Sequence, residues 1–128
     1  MPQELEGKTI LVVDDDPDIL TAVTAGLKDS GATVHTASDG NTAVSQVEKL
    51  RPHLVILDIM LPQKSGFLVL EQVRQKVPRD QLPKIVMITG NAGQRHRQYA
   101  QALGVNEYLQ KPFRMDRLIE ITHKLLLG

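Results

Sequence analysis

The stretch that decides the fold is Thr9-Ile10-Leu11-Val12-Val13-Asp14-Asp15-Asp16-Pro17. Its first five residues are apolar or β-branched at consecutive positions, without alternation. A strand wetted on one face alternates polar and apolar residues. A strand buried on both faces does not, and such strands belong to parallel sheets covered by helices. The apolar run then stops in three carboxylates. Asp16 is a good helix N-cap, and Pro17 has the preset φ and missing N–H that suit a first helical residue. Ile19, Leu20, Val23 and Leu27 follow at helical spacing. Gly31 is placed to end that helix in a left-handed conformation.

The same unit recurs along the chain. Thr33–Ala37 reads as a short strand, Asp39-Gly40-Asn41 as a turn, and residues 42–50 as a helix with Ala43, Val44, Val47 and Leu50 on one face. Arg51-Pro52 ends it, because proline disfavours helical geometry in the residue before it. His53-Leu54-Val55-Ile56-Leu57 is the most apolar strand, and it too ends in an aspartate, Asp58. Residues 65–77 read as a helix with Phe67, Leu70 and Val73 inward, and residues 84–88 as a buried strand ending in Thr89-Gly90. Residues 92–103 form a very polar helix, which few apolar contacts would hold. Residues 106–110 form a short strand before Lys111-Pro112-Phe113. Residues 116–127 form the last helix, with Leu118, Ile121, Thr122 and Leu125 inward. Alternating strands and helices imply one open α/β sheet with right-handed crossovers. One domain over residues 9–128 is expected, with residues 1–8 as a loosely held tail.

Composition bounds the function. The chain has 128 residues, which suits one domain that buries roughly two thirds of its unfolded surface. It has no cysteine, so disulfide and thiolate chemistry are excluded, and the chain is compatible with a reducing cytoplasm. No apolar run reaches the roughly 20 residues of a membrane helix, and the polar start is unlike a secretory signal. The net charge is zero, which argues against bulk electrostatic binding to nucleic acid. That total hides a split. Residues 1–60 carry ten acids and four bases, whereas residues 61–128 carry five acids and eleven bases.

In open α/β sheets, ligands bind beyond the carboxyl ends of the strands. The residues there are Asp14 and Asp15, Asp58, Thr89 and Lys111; Ser38 and Asp39, after the second strand, are not read as chemical. A lone aspartate after a strand is most often a cap or turn residue, and Asp16 fits that description. Carboxylates, a hydroxyl and an ammonium on four strand ends of one sheet form a set that chance seldom assembles. Gathered carboxylates repel unless a cation neutralises them. All-oxygen ligation suits Mg²⁺ or Mn²⁺. A metal beside a lysine and a hydroxyl suits a phosphoryl group, and one carboxylate can then act as nucleophile to give an aspartyl phosphate. Asp14, Asp16 and Asp18 also have the first spacings of an EF-hand loop. Ile19 and Ala25 stand where that loop needs Gly and Glu, so it is excluded.

This constellation resembles the receiver domain of two-component response regulators, from Lys8 to Leu127. The matching stretches are Ile10-Leu-Val-Val-Asp-Asp-Asp-Pro17, Leu54-Val-Ile-Leu-Asp-Ile-Met-Leu-Pro62 with Gly66, Val86-Met-Ile-Thr-Gly90 and Tyr108-Leu-Gln-Lys-Pro-Phe113. The resemblance implies a flavodoxin-like (βα)5 fold, with helices on both faces of a parallel sheet in strand order 2-1-3-4-5. It implies Asp58 as phosphoacceptor and Asp15 and Asp58 as direct Mg²⁺ (or Mn²⁺) ligands. Asp14 would act mainly through a water, and the Met60 backbone carbonyl would be a further ligand. Lys111 would pair with the phosphoryl group, with a cis peptide at Pro112. Thr89 and Tyr108 resemble a switch pair that biases the helix 4–strand 5–helix 5 face. The implied partners are a histidine kinase or phosphotransfer protein and an output partner or effector domain. A phosphorylation-dependent homodimer through that face is also implied. Neither membrane nor nucleic acid is an expected partner of this domain, and the expected location is cytoplasmic. The chain would be a signalling phosphoacceptor that modifies only its own site, not an enzyme.

Some positions depart from the common pattern. Gln63 and Ser65 replace a frequent Gly and Asp, a change expected to affect only that loop. Arg114 stands where a capping Ser or Asp is common, so the last helix is expected to begin near Asp116. Met60 and Asn91 occupy positions that tune phosphoryl lifetime in the family. Arg95, His96, Arg97, Lys111, Arg114 and Arg117 lie on or near the switch face, as a solvated surface or as a dock for an acidic partner. His35, His53, His96 and His123 are read as neither ligands nor bases. A phosphatase of the haloacid dehalogenase type is the enzymatic alternative. It needs an acid two residues after its nucleophile, where this chain has Met60. An unphosphorylated scaffold is the third reading, and the complete residue set argues against it. Flavin binding lacks a Ser/Thr/Gly-rich phosphate loop after the first strand.

Overall fold

The computed structural model describes residues 4–90 and 94–128, without the side chains of Gln94 and Arg95. Its elements are β1 (Thr9–Val13), α1 (Pro17–Lys28), β2 (Thr33–Ala37), α2 (Gly40–Leu50), β3 (Leu54–Asp58), α3 (Gly66–Lys76), a short 3-10 turn (Arg79–Gln81), β4 (Lys84–Thr89), α4 (Gln94–Ala102), β5 (Glu107–Gln110) and α5 (Met115–Leu127). The strands form one parallel sheet in the order β2-β1-β3-β4-β5, as the sequence implied.

Successive residues of a strand point to opposite faces, and the unbroken apolar runs therefore serve two cores. Leu11, Val13, Val55, Leu57 and Met87 face Ala43, Val44 and Val47 of α2, Val69, Leu70 and Val73 of α3 and Ala100 of α4. Ile10, Val12, Leu54, Ile56, Val86 and Ile88 face Val23 and Leu27 of α1 and Leu118 and Ile121 of α5. Each fully buried aliphatic side chain contributes about 1.5–3 kcal/mol from burial.

Register places the strand ends. Val13 pairs with Leu57, so Asp14 and Asp58 emerge side by side from adjacent strands. Asp58 in turn lies opposite Ile88, one residue before Thr89.

The helix ends depend on caps, and several differ from the sequence reading. Asp16 caps α1 by accepting from Asp18 N at 2.9 Å, as its position suggested. The helix ends at Lys28, earlier than Gly31 implied. Ser30 N and Gly31 N satisfy the carbonyls of Leu27 and Lys28 in a tightened last turn, with Gly31 at φ +92°. Asp39 accepts from Thr42 N at 2.7 Å and Thr42 Oγ1 at 2.9 Å, which starts α2 at Gly40 rather than Thr42. The expected late start of α5 does not occur. Its first residue is Met115, with Arg114 at the cap making no side-chain cap bond. The Arg114 guanidinium instead pairs with Asp116 at 2.9 Å. For α4, the expected first residue, Ala92, lies outside the described residues.

The loosely held tail also needs correction from Leu5 onward. Leu5 is fully buried in the α1–α5 core, and its N–H donates to the Ser30 carbonyl at 2.8 Å. His123 of α5 braces the same corner, 3.2 Å from Glu4 on one ring nitrogen and 3.2 Å from Ser30 Oγ on the other.

Candidate functional site

The carboxyl ends of β1, β3, β4 and β5 meet in one cleft. Asp14 is fully buried and Asp58 is 3% exposed, while Asp15 is exposed. Asp14 Oδ1 accepts from Asp16 N at 2.9 Å, so the turn that begins α1 also orients this buried carboxylate. Asp58 Oδ1 accepts from Met60 N at 3.2 Å. Each of the three aspartates offers a carboxylate oxygen within 4.8 Å of the others. Lys111 reaches in from the end of β5. Its Nζ lies 2.9 Å from Asp14 Oδ2 and 3.4 Å from Asp58 Oδ2. The lysine is therefore closer to Asp14 than to Asp58, a preference that strand-end spacing does not reveal. The Lys111 N–H donates to the Thr89 carbonyl at 2.7 Å, which ties the two strand ends together. The Lys111–Pro112 peptide is cis. Thr89 is fully buried at the end of β4.

Electrostatics follow from this crowding. Burial, and then the charge of Asp14, push the Asp58 carboxyl above its usual range, against the pull of Lys111. Burial acts to lower the Lys111 ammonium, but its bond to Asp14 and the charges of Asp58 and Asp14 outweigh that and raise it. The lysine is thus held charged between two carboxylates. Two or three carboxylates against one ammonium still leave net negative charge, and an all-oxygen donor set of this kind fits a hard divalent cation.

The sequence matches the response regulator receiver domain over residues 10–123. The chain belongs to that family. Its relatives agree with the fold. The receiver is 36% identical over 126 residues to an uncharacterised 14.6 kDa protein of Leptolyngbya boryana, spanning 98% of this chain and 95% of that one. It is 40% identical over 106 residues to the alkaline phosphatase synthesis transcriptional regulatory protein PhoP of Bacillus subtilis, covering 83% of this chain but 43% of PhoP. The receiver thus spans nearly all of one relative and less than half of another. Among solved structures, a CheY-like receiver domain protein from Methanospirillum hungatei superposes with a TM-score of 0.83 at 31% identity, covering 92% of this chain and 93% of that one. The receiver domain of sensor histidine kinase PA1611 from Pseudomonas aeruginosa superposes with a TM-score of 0.83 at 30% identity, covering 95% and 99%. That neighbour holds a magnesium ion in its active-site cleft.

Further from the cleft, the receiver's Tyr108 ring packs half-buried against the α2–α4 core. Its hydroxyl is buried without a hydrogen-bond partner, and burial raises its pKa against the opposing charge of Arg97. The Arg97 guanidinium lies 5.7 Å from the ring centroid, a cation–π contact between α4 and β5. The basic face is less naked than its sequence suggests, because Arg117 pairs with Glu120 at 2.7 Å and Arg114 with Asp116. The Arg95 side chain and Asn91 lie outside the described residues. Sequence reasoning missed the bridge between α3 and α4. Phe67 packs edge-on against Tyr99 at 4.8 Å and His96 at 5.7 Å, and the Tyr99 hydroxyl donates to Glu71. The one available signal was the spacing of Phe67 and Glu71 on one helical face.

Proposed function

We propose that Asp58 accepts a phosphoryl group from a histidine kinase or phosphotransfer protein and that the resulting charge resets the α4–β5–α5 face. The observation that carries this reading is the cleft itself, where buried Asp58 shares the Lys111 ammonium with buried Asp14. Asp14, Asp15, Asp58 and the Met60 backbone carbonyl would hold Mg²⁺ or Mn²⁺. Bound there, the cation supplies positive charge that offsets the phosphoryl oxygens. The donor's phosphorus–nitrogen bond breaks with its electron pair left on nitrogen, while an Asp58 carboxylate oxygen forms the new bond to phosphorus. Lys111 holds the incoming phosphoryl oxygens by charge and hydrogen bonding. It gives up part of its hold on Asp14 to do so.

The receiver is a signalling module, and its chemistry is confined to its own acceptor, including labelling by small acyl phosphates and the later loss of the phosphate. Phosphorylation adds charge and acceptor oxygens at the end of β3. The Thr89 hydroxyl, at the neighbouring strand end, moves toward them. The vacated space favours the inward rotamer of Tyr108, whose ring already packs on the α2–α4 core, and the α4–β5–α5 face changes with it. Its readers are an output partner, an effector domain or a second copy of the receiver. No described helix is long and apolar enough to cross a membrane, and the proposed place of action is the cytoplasm, beside the phosphodonor.

Acetyl phosphate with Mg²⁺ is expected to label the wild-type protein, and Asp58→Asn to abolish the label. Labelling that survives the substitution refutes Asp58 as the acceptor.

A further inference from the structure

Residues 59–65 link the acceptor strand to α3, and this loop is held on its far side by α2. Gly40 opens α2 directly against it, donating its N–H to the Pro62 carbonyl at 3.2 Å. A Cβ on Gly40 would overlap the Lys64 side chain and lie 2.6 Å from the Lys64 carbonyl oxygen, so only glycine admits this approach. Next to it, Asn41 Nδ2 donates to Gln63 Oε1 at 2.7 Å. Gln63 adopts φ +71°, a left-handed conformation unfavourable for a residue with a Cβ. Relief of that strain alone would turn the glutamine away. A tight backbone turn, with the Lys64 N–H donating to the Pro62 carbonyl at 2.8 Å, and the side-chain bond to Asn41 hold it in place. At the other end of the loop, a Cβ on Gly66 would strike the Asp58 carbonyl oxygen and lie 2.9 Å from Ile59 Cα. The loop is thus pinned at both ends within a few residues of the acceptor.

We propose that Gly40, Asn41 and Gln63 are positioning residues for the phosphorylation site, a clamp from α2 that sets the placement of the Met60 backbone. The inference rests on Asp58 being the acceptor. Met60 is where the clamp would act. Its N–H donates to Asp58 Oδ1 at 3.2 Å, and its carbonyl is the backbone ligand proposed above for the cation. With the loop anchored at Pro62 and Gln63, Met60 is pre-organised and little ordering remains when the cation binds. With the Asn41–Gln63 bond removed, the loop loses its side-chain tie to α2 and keeps only the backbone bonds at Pro62, which leaves Met60 room to drift. The β2–α2 segment contributes no ligand, which is why a reading confined to strand-end chemistry passes over it.

The test is Mg²⁺ titration of the unphosphorylated protein by calorimetry, beside acetyl phosphate labelling at varied Mg²⁺. The variants are Asn41→Ala, Gln63→Ala, both together, and the exchanged pair Asn41→Gln with Gln63→Asn. Each alanine variant should weaken Mg²⁺ binding about 2- to 10-fold, the effect of one lost hydrogen bond. The double variant should be no worse than either single one, since both remove the same contact. Labelling rates at saturating Mg²⁺ and the melting temperature should stay at wild-type values, because the bond is exposed. The exchanged pair should recover Mg²⁺ affinity. Unchanged Mg²⁺ affinity in both alanine variants overturns the clamp. So does a loss of affinity that merely tracks a lower melting temperature, which marks a general structural role. A wild-type protein that binds Mg²⁺ but takes no label refutes the acceptor reading instead, and the calorimetry still decides the clamp.

Discussion

Asp58 shows how the burial of a carboxylate, which the proposed acceptor role requires, works against stability. Its carboxyl is held above the ordinary range by burial and by the charge of Asp14. The folded chain therefore binds a proton there more tightly than the unfolded chain. Stability from this group is fully present below the unfolded value of 3.8 and is lost as pH rises through the raised folded value. Asparagine carries no charge to desolvate. In Mg²⁺-free buffer at neutral pH, Asp58→Asn should therefore raise the melting temperature, and the gap should close as pH falls below 3.8. A thermal-unfolding series against pH checks this, and a lower-melting Asp58→Asn at neutral pH would contradict it. That Asp14 and Asp58 would come out at the same end of the sheet was legible in sequence, because each directly follows an apolar run that reads as a buried strand. The preference of Lys111 for Asp14 was not. It depends on the reach of one side chain across three strand ends.

At the scale of elements, short polar side chains decide where helices begin. Ser65 accepts from Leu68 N at 3.2 Å and starts α3, which Gly66 then sets hard against the end of β3 through a 2.7 Å bond from its N–H to the Ile59 carbonyl. Ser65→Ala should cost about 1 kcal/mol in urea denaturation, the usual value of a lost cap, without abolishing labelling of Asp58. An unchanged midpoint would mean that packing alone holds the helix start. Caps of this kind could be read in advance at Asp16, where a capping aspartate precedes a proline. They misled at Arg114, where the absence of a capping residue suggested a later start. Leu118 and Ile121 are fully buried in the α1–α5 core, and that packing holds the first turn of α5 without a cap.

The whole molecule is two cores back to back on one sheet, and its N-terminal segment belongs to one of them. Leu5 fills the α1–α5 core from outside the sheet and is fully buried. Leu5→Ala should destabilise the domain by about 2–5 kcal/mol through lost burial and a cavity. Equilibrium denaturation should show this as one cooperative transition shifted to lower denaturant. A change within error would show that the segment peels away freely. Nothing in a polar stretch with one leucine announces such burial, since it carries no periodicity. Only the gap between α1 and α5 creates the demand.

What the sequence determined by itself was local. Consecutive apolar residues specified strands buried on both faces, helical spacing specified the covering faces, and the aspartates that end β1 and β3 specified a shared acidic rim. These follow from backbone geometry, which repeats every two residues in a strand and every 3.6 in a helix. The tertiary structure decided everything that depends on distance between separate elements. It decided that Asp14 and Asp58 are buried while Asp15 is exposed, that Lys111 sits against Asp14, that Leu5 is core, and that α2 reaches across to grip the loop after Asp58. Burial and the pairing of groups from different elements are properties of packed surfaces, and a single element supplies only one side of each such contact.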